Sequence, residues 1–232
     1  MKVADRLTIE VGEARTTALA YHANGDRRLH ATLVLAHGAG AGQASRFMVS
    51  FAAGFASRGL DVLTFNFLYT EQGRRVPDRA EALEACYRAA IEAARSYAPF
   101  GGNALFVGGK SMGGRIASHL AANDSSEIRG LVLLGYPLHP PGKRHQLRVA
   151  HLAKIRVPIL FVQGSRDPFG TPDELRPHVD GLAAPVTVCG VEHGDHSLAP
   201  PKSSPLPVGQ VYSQLQDAIA AWIAGLRLRI TR

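Results

Sequence analysis

The sequence predicts an α/β fold, a mostly parallel sheet with helices on both faces. Three observations lead there. Short continuous apolar runs recur at Thr32 to Ala36, Val62 to Phe65, Leu105 to Val107, Gly130 to Leu134, Ile159 to Val162 and Val186 to Val191. Strands buried on both faces read this way, without polar alternation. Segments of helical spacing separate these runs, and strand–helix alternation at this rhythm builds a parallel sheet. Finally, no linker-like shift of composition and no solenoid-period repeat divides the 232 residues. Residues 1–232 are therefore expected to form a single domain, with no insertion large enough to make a cap domain.

Residues 7–11 (LTIEV) and 18–21 (ALAY) alternate apolar and polar about turn-prone residues, as an antiparallel edge pair does. The run ending at Ala36 opens into His37-Gly38-Ala39-Gly40-Ala41-Gly42. Ser45 then stands where a helix cap belongs, ahead of an apolar face of Phe47, Met48, Phe51, Ala52 and Phe55, and Arg58-Gly59 ends that helix. Val62 to Phe65 leads into an aromatic loop, Asn66-Phe67-Leu68-Tyr69. An Ala-rich helix follows from about Asp78 to Tyr97, stopping before Pro99. The strand at Leu105 to Val107 gives way at Gly108-Gly109 to Lys110-Ser111-Met112-Gly113-Gly114, and Ile116, Ala117 and Leu120 continue at helical spacing to Asn123-Asp124. Gly130 to Leu134 runs into a Tyr136-Pro137-Leu138-His139-Pro140 loop. Ile159 to Val162, entered through Pro158, leads to Gln163 through Gly170 and a helix from about Pro172 to Leu182. The last strand, Val186 to Val191, precedes Glu192-His193-Gly194-Asp195-His196-Ser197. A Pro/Ser-rich loop and a helix from about Val208 to Leu226 complete the order.

Composition narrows the functional classes. Hydrophobic content of 46% suffices for a sizeable core. No apolar h-region follows the first residues and no apolar run approaches the ~18 residues of a membrane span, so a soluble, cytoplasmic protein is expected. A net charge of +7 and a pI near 9.8 raise the question of nucleic acid. The excess is arginine scattered along the chain, with no aromatic-interleaved basic stretch, so the expectation is a solvated basic surface with a preference for anionic substrates, and no nucleic-acid partner. Cys86 and Cys189 lack metal-ligand neighbours and read as buried reduced thiols.

The chemistry-bearing residues gather where the strands end, which is where open α/β sheets bind ligands. Gly109-Lys110-Ser111-Met112-Gly113 fits G-x-S-x-G, a strand–turn–helix elbow with a serine at its apex. A nucleophile in so sharp a turn leaves no room for a Cβ two residues before or after it. The order Ser111, Asp167, His196, each after a different strand, is that of the α/β-hydrolase triad. A serine hydroxyl is a weak nucleophile and needs a base within hydrogen-bond reach; His196 would serve, oriented by Asp167. Met112 and Ala39 are the candidate oxyanion-hole N–H donors. His37, Gly38, Asn66, Phe67, Tyr136 and Phe169 are candidates for the substrate pocket, with His37 expected to fix the oxyanion loop.

Competing assignments remain at this level. Asp167 before Pro168 could merely begin a turn, His193 competes with His196, and Asp195 suits a turn better than the acid. The loop aromatics could equally pack on one another. The histidines lack ligand spacing and the glycines form neither G-x-G-x-x-G nor a P-loop, so no metal and no organic cofactor are expected.

The segments HGAGAG, FNFLY, GGKSMGGR, LGYPLHPPGK, QGSRDPFG and GDHS resemble, in order, the small lidless α/β-hydrolases related to the dienelactone hydrolases. The nearest likeness is the predicted-hydrolase branch that includes the testis-expressed and NSL-complex-subunit proteins of animals. The resemblance runs from about His37 onward and implies the same catalytic positions, Ser111, Asp167 and His196. Dienelactone hydrolases proper use a cysteine where this chain has serine, which argues against a dienelactone substrate. What is expected is a serine hydrolase of carboxylesterase or thioesterase type acting on a small ester. The alternatives are acyl transfer on the same residues, or a hydrolase-fold scaffold with little turnover. Homo-oligomerisation stays open.

Overall fold

The structure is a computed structural model that describes residues 4–24 and 28–228. Among the described residues, eight strands form one sheet: β1 (Asp5–Val11), β2 (Ala14–Tyr21), β3 (Ala31–Ala36), β4 (Asp61–Phe65), β5 (Ala104–Lys110), β6 (Gly130–Leu134), β7 (Ile159–Gly164) and β8 (Val186–Val191). Their spatial order is β1-β2-β4-β3-β5-β6-β7-β8. β1 and β2 pair antiparallel, as does β2 with β4; every pairing from β4 to β8 is parallel. Four of the apolar runs are fully buried strands, since every residue of β3, β4, β6 and β7 is buried, whereas the run at Val186–Val191 became the edge strand β8, in which only Val191 is buried. β2 instead alternates, as a strand with one solvated face does.

Six α-helices of the described residues cover the faces: α1 (Arg46–Ala56), α2 (Leu68–Glu71), α3 (Ala80–Ser96), α4 (Met112–Asn123), α5 (Pro172–Val179) and α6 (Val208–Leu228). Because side chains alternate along a strand, the sheet separates two apolar layers. One contains Val34, Leu63, Val107 and Leu133 with α3, α4 and α5; the other contains Leu33, Leu35, Val62 and Val132 with α1 and α6. No helix among the described residues is long and apolar enough to cross a membrane.

Several boundaries differ from the sequence reading for identifiable reasons. The aromatic segment after β4 is not all loop: Leu68–Glu71 wind into α2, where the Asp78 carboxylate accepts the Tyr69 amide at 3.1 Å and so satisfies an orphan donor of the first turn. Asp78 is thereby committed outside α3, which begins at Ala80. β5 runs on through Gly108 and Gly109 to Lys110, paired with β3 and β6. β7 extends to Gly164 because Gln163 and Gly164 still pair with Gly190 and Val191. Ser45 occupies the N-cap of α1, yet its hydroxyl makes no capping bond. Cys86 is buried as expected, whereas Cys189, on the edge strand β8, is only half-buried.

Two buried groups beneath the elbow have consequences for stability. The fully buried Tyr87 hydroxyl accepts the Gly108 amide at 2.9 Å and lies 2.7 Å from the carbonyls of both Val34 and Gly108, joining α3 to β3 and β5. Lys110 ends β5 with its Nζ buried and without a hydrogen-bond partner among the described residues, 5.9 Å from the centre of the Phe47 ring. Burial lowers its pKa from 10.5 to about 8, against the opposing pull of the Asp167 and Asp195 carboxylates.

Removing the phenol oxygen in Tyr87→Phe leaves the buried Gly108 N–H without an acceptor. Urea denaturation should show a loss of roughly 1–3 kcal/mol. For Lys110 the sign follows from linkage. Its pKa is lower folded than unfolded, so the cost of burying the charge is present in full below about pH 8 and fades as pH rises toward 10.5. Lys110→Met should therefore unfold at higher urea than wild type at pH 7, by up to roughly 3 kcal/mol. That advantage should shrink at pH 10.

Candidate active site

Ser111 sits at the join of β5 and α4 with φ 52° and ψ −115°, a conformation that an L-residue rarely adopts. Its amide donates to Leu134 O at 2.9 Å, and its carbonyl accepts the Arg115 amide at 3.0 Å, so both sides of the turn are tied down. The glycines two residues away are required by space. A Cβ on Gly109 would stand 2.6 Å from Ala36 O, and one on Gly113 would stand 2.5 Å from the same atom.

The structure brings the three predicted side chains together. His196 Nε2 lies 2.9 Å from Ser111 Oγ, and His196 Nδ1 lies 2.8 Å and 3.0 Å from the two Asp167 oxygens. This arrangement assigns the tautomer: Nδ1–H donates to the carboxylate, leaving Nε2 to accept the serine proton. The Asp167 side chain is fully buried, whereas His196 keeps 23% of its side-chain surface exposed, so the imidazole meets the cleft and the carboxylate does not. Asp167 also accepts the Phe169 amide at 2.8 Å and Gln163 Nε2 at 3.0 Å. Phe169 lies over the imidazole with ring centres 4.2 Å apart. The competing residues are placed elsewhere. His193 is exposed beside Glu192, and Asp195 accepts the Ser197 and Ala199 amides as a turn residue.

On the β3 side, neither the Ala39 nor the Met112 N–H is taken up by a hydrogen bond among the described residues, and both residues line the cleft. The loop carrying Ala39 is held from behind. Tyr69 OH donates to Ala39 O at 2.8 Å, and the buried His37 joins two segments. His37 Nε2 accepts the Phe67 amide at 3.1 Å, which leaves Nδ1–H to donate to Gly38 O at 2.8 Å. Burial lowers its pKa to about 4, so it stays a neutral linker.

Ser111 opens onto a cleft of about 630 Å³. Of the predicted pocket residues, Gly38 and Phe169 line it. Four others stand behind its wall. His37, Phe67 and Tyr136 are buried, and Asn66 is used up in bonds to the Gln43 amide and Glu71. Phe67 packs edge-on against Phe65 and His37, while Tyr136 donates to Arg148 O at 2.7 Å. Phe67 and Tyr136 therefore pack on their neighbours, the other outcome that composition allowed, while Phe169 lines the cleft.

Three contributors were not singled out from sequence. Gln163 is buried, with Nε2 directed at Asp167, Tyr136 O and Gly170 O while Oε1 accepts the Tyr136 amide, so it ties the acid's loop to the loop after β6. Its place directly after an apolar run at a strand end was the available signal. Arg115 and Arg148 line the cleft. Arg115 is four residues beyond Ser111 on one helix, a spacing readable in advance.

Comparison with known proteins agrees with this architecture. Among solved structures, a dienelactone hydrolase from Anabaena variabilis superposes with a TM-score of 0.75 at 17% identity, covering 94% of this chain and 95% of its own. An α/β serine hydrolase homologue from Coxiella burnetii gives 0.74 at 15%, covering 95% and 98%. A serine hydrolase without a lid from Xanthomonas campestris gives 0.72 at 16%, covering 96% of each chain. At these identities the likeness is one of fold. A family model described as an alpha/beta hydrolase domain matches residues 29–224. With that match spanning most of the sequence, the chain belongs to the alpha/beta hydrolase domain family.

Proposed function

We propose that this chain, acting as one domain in the cytoplasm, is a serine hydrolase that cleaves a small ester or thioester through an acyl-enzyme. The observation that carries the reading is the unbroken line of hydrogen bonds from Ser111 Oγ through His196 to the buried Asp167. His196 Nε2 takes the hydroxyl proton as Ser111 Oγ bonds to the substrate carbonyl carbon. The carbonyl oxygen gains the charge and meets the free N–H groups of Ala39 and Met112. As the intermediate collapses, the bond to the leaving group breaks and His196 hands that group the proton. Water, deprotonated by the same imidazole, then attacks the acyl-enzyme, and Ser111 recovers its proton. Asp167 keeps the imidazole in the required tautomer and stabilises its cation throughout.

Two further points support the choice of substrate size. The chain order carries no inserted lid, and one of the proteins it resembles in fold is a serine hydrolase without a lid. An open cleft of about 630 Å³ suits short acyl groups better than long lipid chains. The Tyr-Pro-Leu-His-Pro loop and the GDHS segment are the grounds for placing the chain in the predicted-hydrolase branch within the wider family.

The test is labelling by a fluorophosphonate together with a panel of short-chain esters. Wild type should label rapidly, and both Ser111→Ala and His196→Ala should lose labelling and drop ester turnover by roughly 10⁴-fold or more. His193→Ala should behave as wild type. A folded wild type that neither labels nor turns over any ester would overturn the reading.

A further inference from the structure

We infer that Arg115 and Arg148 form an anion-binding subsite in the cleft, so that the preferred substrate bears a carboxylate or phosphate near its ester bond. This rests on the serine-hydrolase reading and deepens it. Both residues line the same cleft as Ser111 and His196. Arg115 lies one helical turn beyond the nucleophile, since its amide donates to Ser111 O, and helical side chains lean back toward the N-terminus. Arg148 comes from the loop after β6, where its backbone is fixed at both ends. Its amide donates to Leu138 O at 2.9 Å, and its carbonyl accepts Tyr136 OH at 2.7 Å.

What these two guanidinium groups lack is a counter-charge. Among the described residues, no hydrogen bond or ion pair engages the Arg115 side chain, and that of Arg148 has only a 3.5 Å contact from Nη1 to Pro137 O. Arg28, Arg58, Arg74 and Arg144, by contrast, each have a carboxylate oxygen within 3.0 Å. Asp78, a carboxylate that does line the cleft, is already bound by Arg74 at 2.7 Å and by the Tyr69 amide. An exposed arginine needs no partner, because water serves. These two are half-buried and repel each other; burial and the charge of Arg115 together lower the Arg148 pKa. Such a pair is costly in the free protein and is relieved by an anion that accepts from both forks.

The test compares matched esters that differ by one anionic group. On the acyl side, monomethyl glutarate is set against methyl pentanoate. On the alcohol side, 4-acetoxybenzoate and 4-acetoxyphenyl phosphate are set against phenyl acetate. Wild type should favour the anionic member of at least one pair by tenfold or more in kcat/KM. Arg115→Gln and Arg148→Gln should each reduce that ratio by roughly tenfold, the effect of losing a charge-assisted contact, and Arg→Lys should restore part of it. The pair that responds identifies which side of the ester carries the charge, and whether it is carboxylate or phosphate. A ratio near one in every pair would overturn the subsite, as would variants that lower both members alike. Fluorophosphonate labelling without any anion preference would remove the subsite and leave the hydrolase reading standing. If no ester turns over, calorimetric titration of Ser111→Ala with glutarate and with phosphate decides. Binding abolished by Arg115→Gln supports the subsite, and no binding of either anion overturns it.

Discussion

The site depends on a contact that no side chain could make. The first turn of α4 and the end of β5 both approach the Ala36 carbonyl so closely that a Cβ on Gly109 or Gly113 would lie within 2.6 Å of it. This backbone-to-backbone packing does two things at once. It holds Ser111 at a positive φ that costs of order 1–3 kcal/mol on its own. It also fixes the distance between the serine turn and the loop that follows β3, since Gly113 abuts both Ala36 and His37. The N–H groups of Met112 and Ala39 are thus carried on two segments that cannot separate without opening the sheet at β3 and β5. That is also where the strand order reverses, from β3 outward to β4 on one side and from β5 outward to β6 on the other.

Around this contact, buried polar groups fall into two kinds. Asp167, Gln163, His37 and Tyr87 are all buried and all hydrogen-bonded, each joining segments that come from different strands. Networks of this kind hold a single geometry, because a shift of any member leaves another unsatisfied in a low dielectric. The buried Lys110 and the half-buried Arg115 and Arg148 are of the other kind, cations whose charge no carboxylate among the described residues balances through a direct bond. A core assembled for stability alone would not place them there; Lys110 sits immediately before Ser111 and the arginines line the space in front of it.

How much of this was legible in the sequence depended on how local the signal was. The apolar runs of β3, β4, β6 and β7 became buried strands because two-sided burial leaves a mark in consecutive residues, although a similar run at β8 lies at the sheet edge. The elbow was readable for the same reason, its glycines being demanded by neighbours within the turn. Ser111, Asp167 and His196 were legible through chain order, since each strand end in this topology points to one edge of the sheet. The pocket was not. Asn66, Phe67 and Tyr136 stand at strand ends like Phe169 does, and composition cannot say which faces the cleft. The difference lies in tertiary partners, such as His37 for Phe67 and the Arg148 carbonyl for Tyr136, that come from other segments. Lys110 was illegible for a related reason. Its position at the variable place of the elbow allowed a side chain turned sideways into the structure, but did not show the partner it meets there, the Phe47 ring of α1.

The placement of charge ties these strands of argument together. In the proposed chemistry, proton transfer from Ser111 creates a positive imidazolium and a negative oxygen on the substrate. Asp167 lies buried on the far side of His196 from the cleft, where it favours the positive member. The positive end of α4 and the guanidinium groups of Arg115 and Arg148 lie on the cleft side, where they favour the negative one. The fixed charges are therefore arranged along the direction in which charge must separate. The same arrangement disfavours any reaction that would build positive charge in the cleft. An anion held by the arginines would neutralise part of that field, so its distance from the reacting carbonyl matters. It must be near enough to be bound by both forks, yet far enough that the N–H groups of Ala39 and Met112, and not the arginines, remain the groups that meet the developing oxyanion.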